Sequence, residues 1–322
     1  MRVGVVGVGH LGQHHARIFA AMDGVELVGV ADTNPQRAEE IAAKHGTRAF
    51  TGLLALMDEV DAVTIAVPTV THLEAALPFL ERRKAVLVEK PLAASVGEAD
   101  RLIAAAEQRG AILAVGHTER FNPAVEAARP LIDNPRFIEV HRLGTFRERS
   151  LDIDVIFDLM IHDLDLLLAL VRSEVVSVEA VGVNVLTSRT DIANARIRFA
   201  SGCIANLTAS RISRDRVRKI RFFQHRTYVS IDYAAREVEV YTLVPPPSSP
   251  DRGGLGTAGG PESRPAIQGG KLPVADDEPL RRELADFVDA ARTGRSPGVT
   301  GREGRDALAL AAVVADRMTE TV

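Results

Sequence analysis

Three groups of residues in this chain have types and spacings that can do chemistry. The first is Gly7, Gly9 and Gly12, spaced G-x-G-x-x-G after the apolar run RVGVV, with Asp32 twenty residues past the last glycine. Such a turn lets backbone N–H groups at a helix start approach a pyrophosphate, and His10 and Leu11 lie inside it. A carboxylate at the end of the next strand accepts hydrogen bonds from both hydroxyls of a ribose and repels a 2′-phosphate, so the spacing predicts NAD over NADP. Arg37, in the following helix, leaves room for weak dual use. The second group sits where two later apolar runs end: Val67, Pro68, Thr69 and His72 after DAVTIA, and Glu89, Lys90 and Pro91 after AVLV. Ligands bind at the carboxyl edge of an open parallel sheet. With five lysines against 34 arginines, a lysine kept at that edge stands out. His72 opens a helix, where packing or capping is the plainer role. The third group is Asp158, His162 and Asp165 in DVIFDLMIHDLDLLLALV. At i, i+4 and i+7 they share one helix face, and a carboxylate one turn from an imidazole orients it and raises its pKa. The plainer reading gathers acids for the helix dipole and buries His162 in the core.

The elements that must position these residues alternate. RVGVVG, VELVGVAD, DAVTIAVP, AVLVEK and AILAVG are strand-length apolar runs, and stretches of helical period separate them. Runs of Val, Ile and Ala without polar alternation belong to a parallel sheet covered on both faces, so the class is a doubly wound α/β domain. After Asn122 and Pro123 the pattern changes: Ala195, Ile197 and Phe199 alternate with polar residues, as do Val238 and Val240. Period two implies a mixed or antiparallel sheet with one face buried. The division read from this change is 1–121 and 122–322. Residues 245–277 hold seven of the sixteen prolines and seven of the 25 glycines, which reads as a mobile loop, with plain disorder favoured over a substrate-covering lid. Two helices finish the chain, the last with Thr300 as N-cap.

Composition excludes several classes. Lys plus Arg total 39 against 43 Asp plus Glu, a net charge of -4, without the basic excess that nucleic acid requires. The lone cysteine, Cys203, reads as a buried filler in a reducing compartment. No run reaches membrane-span length, and MRVGVVGVGHLG lacks the apolar core of a signal peptide, so the expectation is a cytoplasmic protein. No metal is expected, because there is no H-E-x-x-H and no cysteine set.

The glycine turn, Asp32 and Glu89-Lys90-Pro91, in this order and spacing, resemble the glucose-fructose oxidoreductase / inositol dehydrogenase / MocA family over nearly the whole length. The resemblance implies an N-terminal Rossmann domain with NAD, joined to a C-terminal α/β domain on a large, open, mainly antiparallel sheet. It also implies a lysine, here Lys90, that meets substrate and nicotinamide, and an acidic residue four before a histidine, here Asp158 and His162. A homodimer or homotetramer through the second sheet is implied as well. The stretches VGHTERFNPAV and DLMIHDLDLLL further resemble the branch whose members oxidise the 3-hydroxyl of UDP-N-acetylglucosamine ahead of an aminotransferase. Alcohol oxidation needs a base for the hydroxyl proton and a group to stabilise alkoxide character. Giving His162 the proton and Lys90 the oxygen is one assignment. The other makes Lys90 the base, which requires a fall of several units from ~10.4. A diphosphate calls for arginine, and Arg120, Arg147 and Arg149 are candidates, with Asn122 beside Arg120. The run Arg211, Arg214, Arg216, Arg218, Lys219 and Arg221 reads instead as a solvated or interface strand face. Other outcomes remain: a dehydrogenase of a free sugar or inositol, an NAD-dependent glycoside hydrolase without net redox change, and an NAD-responsive binding protein.

Overall fold

The computed structural model describes residues 1–146, 153–245 and 266–319. Six strands, β1 (Arg2–Val6), β2 (Glu26–Ala31), β3 (Arg48–Phe50), β4 (Ala62–Ile65), β5 (Ala85–Glu89) and β6 (Leu113–Gly116), form a parallel sheet in the order β3-β2-β1-β4-β5-β6. Every residue of β4, β5 and β6 is buried, which is why their sequences carry no polar alternation. The crossovers include α1 (Gly12–Ala20), α2 (Pro35–His45), α3 (Leu53–Met57), α4 (His72–Glu81) and α5 (Val96–Arg109). Their ends are set locally. Asn34 caps α2 by accepting from the Arg37 amide at 3.2 Å, with Pro35 as first helical residue, and Gly46 closes it at φ 64°.

The second sheet has eight strands: β7 (Phe137–Leu143), β8 (Val175–Val183), β9 (Ile192–Phe199), β10 (Ile204–Ser210), β11 (Val217–Gln224), β12 (Thr227–Asp232), β13 (Glu237–Val244) and β14 (Ala266–Lys271), in the order β14-β13-β12-β11-β7-β10-β9-β8. The β7–β10 pair is parallel and the others run antiparallel. Ile138, Val140, Ile197, Leu207, Ile220, Phe222 and Ile231 line its inner face, against α7 (Ile161–Val171) and α9 (Gly301–Thr319). Phe223, Tyr241, Leu243 and Ile267 are exposed on the outer face. α6 (Pro123–Ala128) packs near β12 and β13.

The last helices bind the halves together. Leu284, Phe287 and Val288 of α8 (Pro279–Thr293) are buried in one cluster with Val3, Val5 and Phe19. A Cβ on Gly304 of α9 would stand 2.6 Å from Val115 of β6, so the missing side chain lets helix and strand touch. The sequence division at 121/122 thus leaves α8 on the second side while its apolar face fills the first core.

The expected loop 245–277 is corrected in part. Residues 266–271 form β14 at the sheet edge, paired with β13, whereas 246–265 lie outside the described residues. A Cβ on Gly269, at φ 152°, would fall 1.9 Å from the Val240 carbonyl oxygen. The glycine that reads as irregularity is therefore what allows close pairing. Cys203 is buried, and burial pushes its thiol up to about 11. Among the described residues no helix is long and apolar enough to cross a membrane.

Candidate active site

β1 ends in a turn whose glycines each have a separate reason. Gly7 has φ 81°, and a Cβ there would meet the Ala66 carbonyl oxygen at 2.6 Å. On Gly12 it would lie 1.7 Å from the Gly7 carbonyl oxygen, so the helix start and the turn touch only without it. On Gly9 it would meet nothing within 4 Å. Open space in front of that backbone is the approach a pyrophosphate needs. Gly7, Gly9, Asp32, Val67 and Pro68 wall a cleft of about 560 Å³, together with Thr33, Thr51, Thr71 and Glu74, which the sequence reading did not single out. Asp32 is held by the Val8 and Asn34 amides, each at 2.9 Å. These residues fit a dinucleotide. Arg37 donates to the Val8 carbonyl at 3.0 Å, Gln13 at 3.0 Å and Glu40 at 2.7 Å, so all three arms of its guanidinium are engaged.

Five further expected cofactor contacts are not among the residues that wall this cleft. His72 is buried, with its ring nitrogens 2.9 Å from the Pro91 carbonyl and 3.0 Å from that of Val67. It ties two strand ends together. Glu89 turns inward to His15 at 3.0 Å, where the imidazole and the neighbouring Lys90 hold its carboxyl below its usual range against the cost of burial. Leu11 is exposed at the start of α1, and His10 is exposed beside His14. Thr69 lies in the single helical turn 69–71, and Thr71 supplies the wall of the cleft.

Lys90 leaves the end of β5 and crosses to the second half of the molecule. Its ammonium donates to the Asp158 backbone carbonyl at 2.8 Å and lies 3.7 Å from that residue's carboxylate. Asp158 belongs to a π-helical stretch, Ile156–Met160, that runs straight into α7. A wider turn of this kind re-aims side chains and is frequent at functional sites. His162 follows in α7. Burial first, then the charges of Lys90 and Arg142, hold its imidazole well below the ordinary histidine value. Lys90 and His162 are thus within electrostatic reach, brought together from separate halves. The expected influence of Asp158 is corrected: its carboxylate faces Lys90, and His162 is shifted down, not up. Burial lowers Lys90 as well, opposed by Asp158 and Glu89.

Asp165 does not join that face. It grips Arg120 through two bonds of 2.7 and 2.9 Å, and Arg120 also donates to Glu303 at 3.1 Å. Arg120 is therefore an internal brace, contrary to its expected substrate role. Asn122 is likewise used up: it caps α6 by accepting from Ala124 at 3.1 Å and donates to Glu119 and to the Tyr233 carbonyl. Arg147 and Arg149 lie outside the described residues. The sequence reading missed a second brace, in which Arg142 of β7 grips Asp163 at 2.6 and 2.9 Å and reaches Glu119 at 3.0 Å. It also missed His117, buried edge-on to His162 with ring centroids 6.4 Å apart. Arg142 carried a usable signal, because it shares strand parity with buried Ile138 and Val140.

Known proteins are similar to this chain in both of its halves. Residues 1–117 match the oxidoreductase family with an NAD-binding Rossmann fold, and 131–230 match the GFO/IDH/MocA C-terminal domain. The chain is 41% identical over 312 residues to the UDP-N-acetylglucosamine 3-dehydrogenase of Acidithiobacillus ferrooxidans, covering 97% of this chain and 95% of that one. The solved structure of that enzyme superposes with a TM-score of 0.89 at 39% identity, over 99% of this chain and 98% of the other. The myo-inositol 2-dehydrogenase of Thermotoga maritima is 27% identical over 96% of this chain and 94% of its own. With the glycine cleft in the first matched region and His162 in the second, the chain belongs to the Gfo/Idh/MocA family and is an NAD-dependent oxidoreductase acting on a CH–OH group.

Proposed function

We propose that this protein oxidises the 3-hydroxyl of UDP-N-acetylglucosamine to the 3-keto sugar nucleotide, upstream of an aminotransferase. The observation that carries the reading is the likeness, across 97% of the chain, to an enzyme of that name. NAD, when bound, accepts the hydride from the sugar carbon. Everything else falls to the chain. Lys90 keeps its proton beside Asp158 and donates to the substrate oxygen, where negative charge develops. His162, neutral at physiological pH, takes the hydroxyl proton. Asp158 holds Lys90 in place, and the Arg142–Asp163 and Arg120–Asp165 braces fix the helix that carries His162. Asp32 selects NAD against NADP by repelling a 2′-phosphate, and Arg37 is directed to Val8, Gln13 and Glu40.

Residues 1–121 form the cofactor domain in this reading, and 122–322 the substrate and assembly domain, with α8 returned to the first. The row Phe137, Phe223, Tyr228 and Tyr241, with centroid steps of 5.5, 5.2 and 6.2 Å, supports assembly of a homodimer or homotetramer through the outer sheet face. A buried, unpaired thiol at Cys203 suits the cytoplasm. The deciding experiment incubates the protein with NAD and, separately, UDP-N-acetylglucosamine, free N-acetylglucosamine and myo-inositol. NADH and a product two mass units lighter are expected with the sugar nucleotide. Greater kcat/KM on a free sugar or inositol replaces the reading with that substrate, and release of free sugar without NADH replaces it with hydrolysis.

A further inference from the structure

β11 carries part of the basic run that reads in the sequence as a solvated face, and the structure splits that run. Arg214 and Arg216 are exposed, as the sequence implies, and Arg221 pairs with Glu139 at 2.8 Å. Arg218 is different. It shares strand parity with Ile220 and Phe222, which are fully buried on the inner face, and it stands opposite Arg142 in the β7–β11 register. Two guanidinium groups therefore lie side by side above α7, on the side of the sheet that faces His162.

Among the described residues Arg142 has carboxylate partners and the Arg218 side chain has none. Both oxygens of Asp163 are taken by Arg142. Glu119 gives one oxygen to Arg142 and the other to Asn122. The half-buried Arg218 side chain makes no hydrogen bond or ion pair with any described residue. Burial and the charges of Arg142 and Arg216 press its pKa down, against the pull of Glu119 and Asp163. Beneath it, the Tyr233 amide donates to the Arg218 carbonyl at 2.9 Å, while the Tyr233 hydroxyl is buried with no hydrogen-bond partner. An unpaired cation held next to another cation lowers its energy by receiving an anion, and a guanidinium matches two phosphate oxygens at once.

We propose that Arg218 receives a phosphate group of the substrate beside the reacting sugar ring. This rests on the sugar-nucleotide reading above. In such a substrate the first phosphate is attached at C1, one carbon removed from the neighbour of C3. When C3 faces Lys90 and His162, that phosphate must lie within one ring's breadth of them. Arg218 is near enough for its charge to act on His162, and its side chain has donors to spare, whereas Arg120 is buried and spent on Asp165 and Glu303. The pairing would set specificity, since a neutral sugar or inositol leaves the charge unmatched.

The test measures UDP binding by calorimetry, with NAD present, for the wild type, Arg218→Gln and Arg218→Lys. KM and kcat for UDP-N-acetylglucosamine are measured on the same proteins. Wild type should bind UDP. Arg218→Gln should weaken UDP and raise KM by about 10- to 100-fold with kcat changed far less, and Arg218→Lys should recover part of the loss because charge returns without the fork. NAD affinity and Tm should stay at wild-type values in the lysine variant. Equal UDP affinity in all three proteins overturns the role of Arg218 while leaving the substrate reading intact. Turnover of a free sugar by a wild type that ignores UDP overturns both.

Discussion

Around the glycine turn, recognition is left to main chain: three residues without side chains, two amides steadying Asp32, and open space before Gly9. Around Lys90 and His162 it is left to long charged side chains that reach between strands and helix, locked by Arg120–Asp165 and Arg142–Asp163. A backbone cradle tolerates no added atoms but depends on few partners. A charged junction tolerates shape changes but fails when one charge loses its mate, because burial makes an unpaired ion costly.

The largest effect that sharpens this contrast is chemical. Lys90→Met should lower kcat by about 10³-fold while NAD still binds, since the lysine contributes charge and not fold. Retention of wild-type kcat would remove Lys90 from the mechanism. Next comes Asp163→Asn, which leaves Arg142 short of an anion in the interior and should destabilise the protein by about 3–5 kcal/mol in denaturant unfolding. A loss below 1 kcal/mol would mean that Glu119 alone satisfies Arg142 and that the brace is not shared. In the cradle, Gly9→Val should leave unfolding unchanged but weaken NAD by about tenfold, roughly 1.4 kcal/mol, measured by fluorescence titration. Unchanged NAD affinity would show that the pyrophosphate does not pass over Gly9.

The smallest effect is a shape, the pH dependence of kcat/KM. His162 must be neutral to accept a proton, so activity is lost as pH falls through its depressed pKa, and that limb should lie below pH 6.5. Lys90 must be charged, so activity is also lost as pH rises through its value, which burial places below 10.5. An acid limb above pH 6.5 would return control of the imidazole to Asp158.

The same contrast explains what the sequence made legible. The cofactor cleft could be read because its determinants are local: three glycines, one carboxylate and strand ends that fall at one sheet edge. Lys90 was visible for its position and scarcity, and His162 through its spacing from Asp158. The braces were not visible, because Arg120 and Asp165 are 45 residues apart and nothing local marks them as partners. Distance in sequence also hid the reversal at His162, whose environment comes from Lys90, Arg142, His117 and Arg218 on other elements. In the sequence Arg218 reads like its exposed neighbours Arg214 and Arg216. Its parity with Ile220 and Phe222 was the overlooked sign, since an arginine on the apolar phase of a strand must answer to something inside.

One feature of the architecture bears on how the chain is made. α8 covers Val3, Val5 and Phe19 with Leu284, Phe287 and Val288, so residues of the first strand and helix are sealed only by residues synthesised much later. A nascent polypeptide ending before Pro279 presents that greasy surface to the cell, and a truncation there should need a chaperone where the intact chain does not.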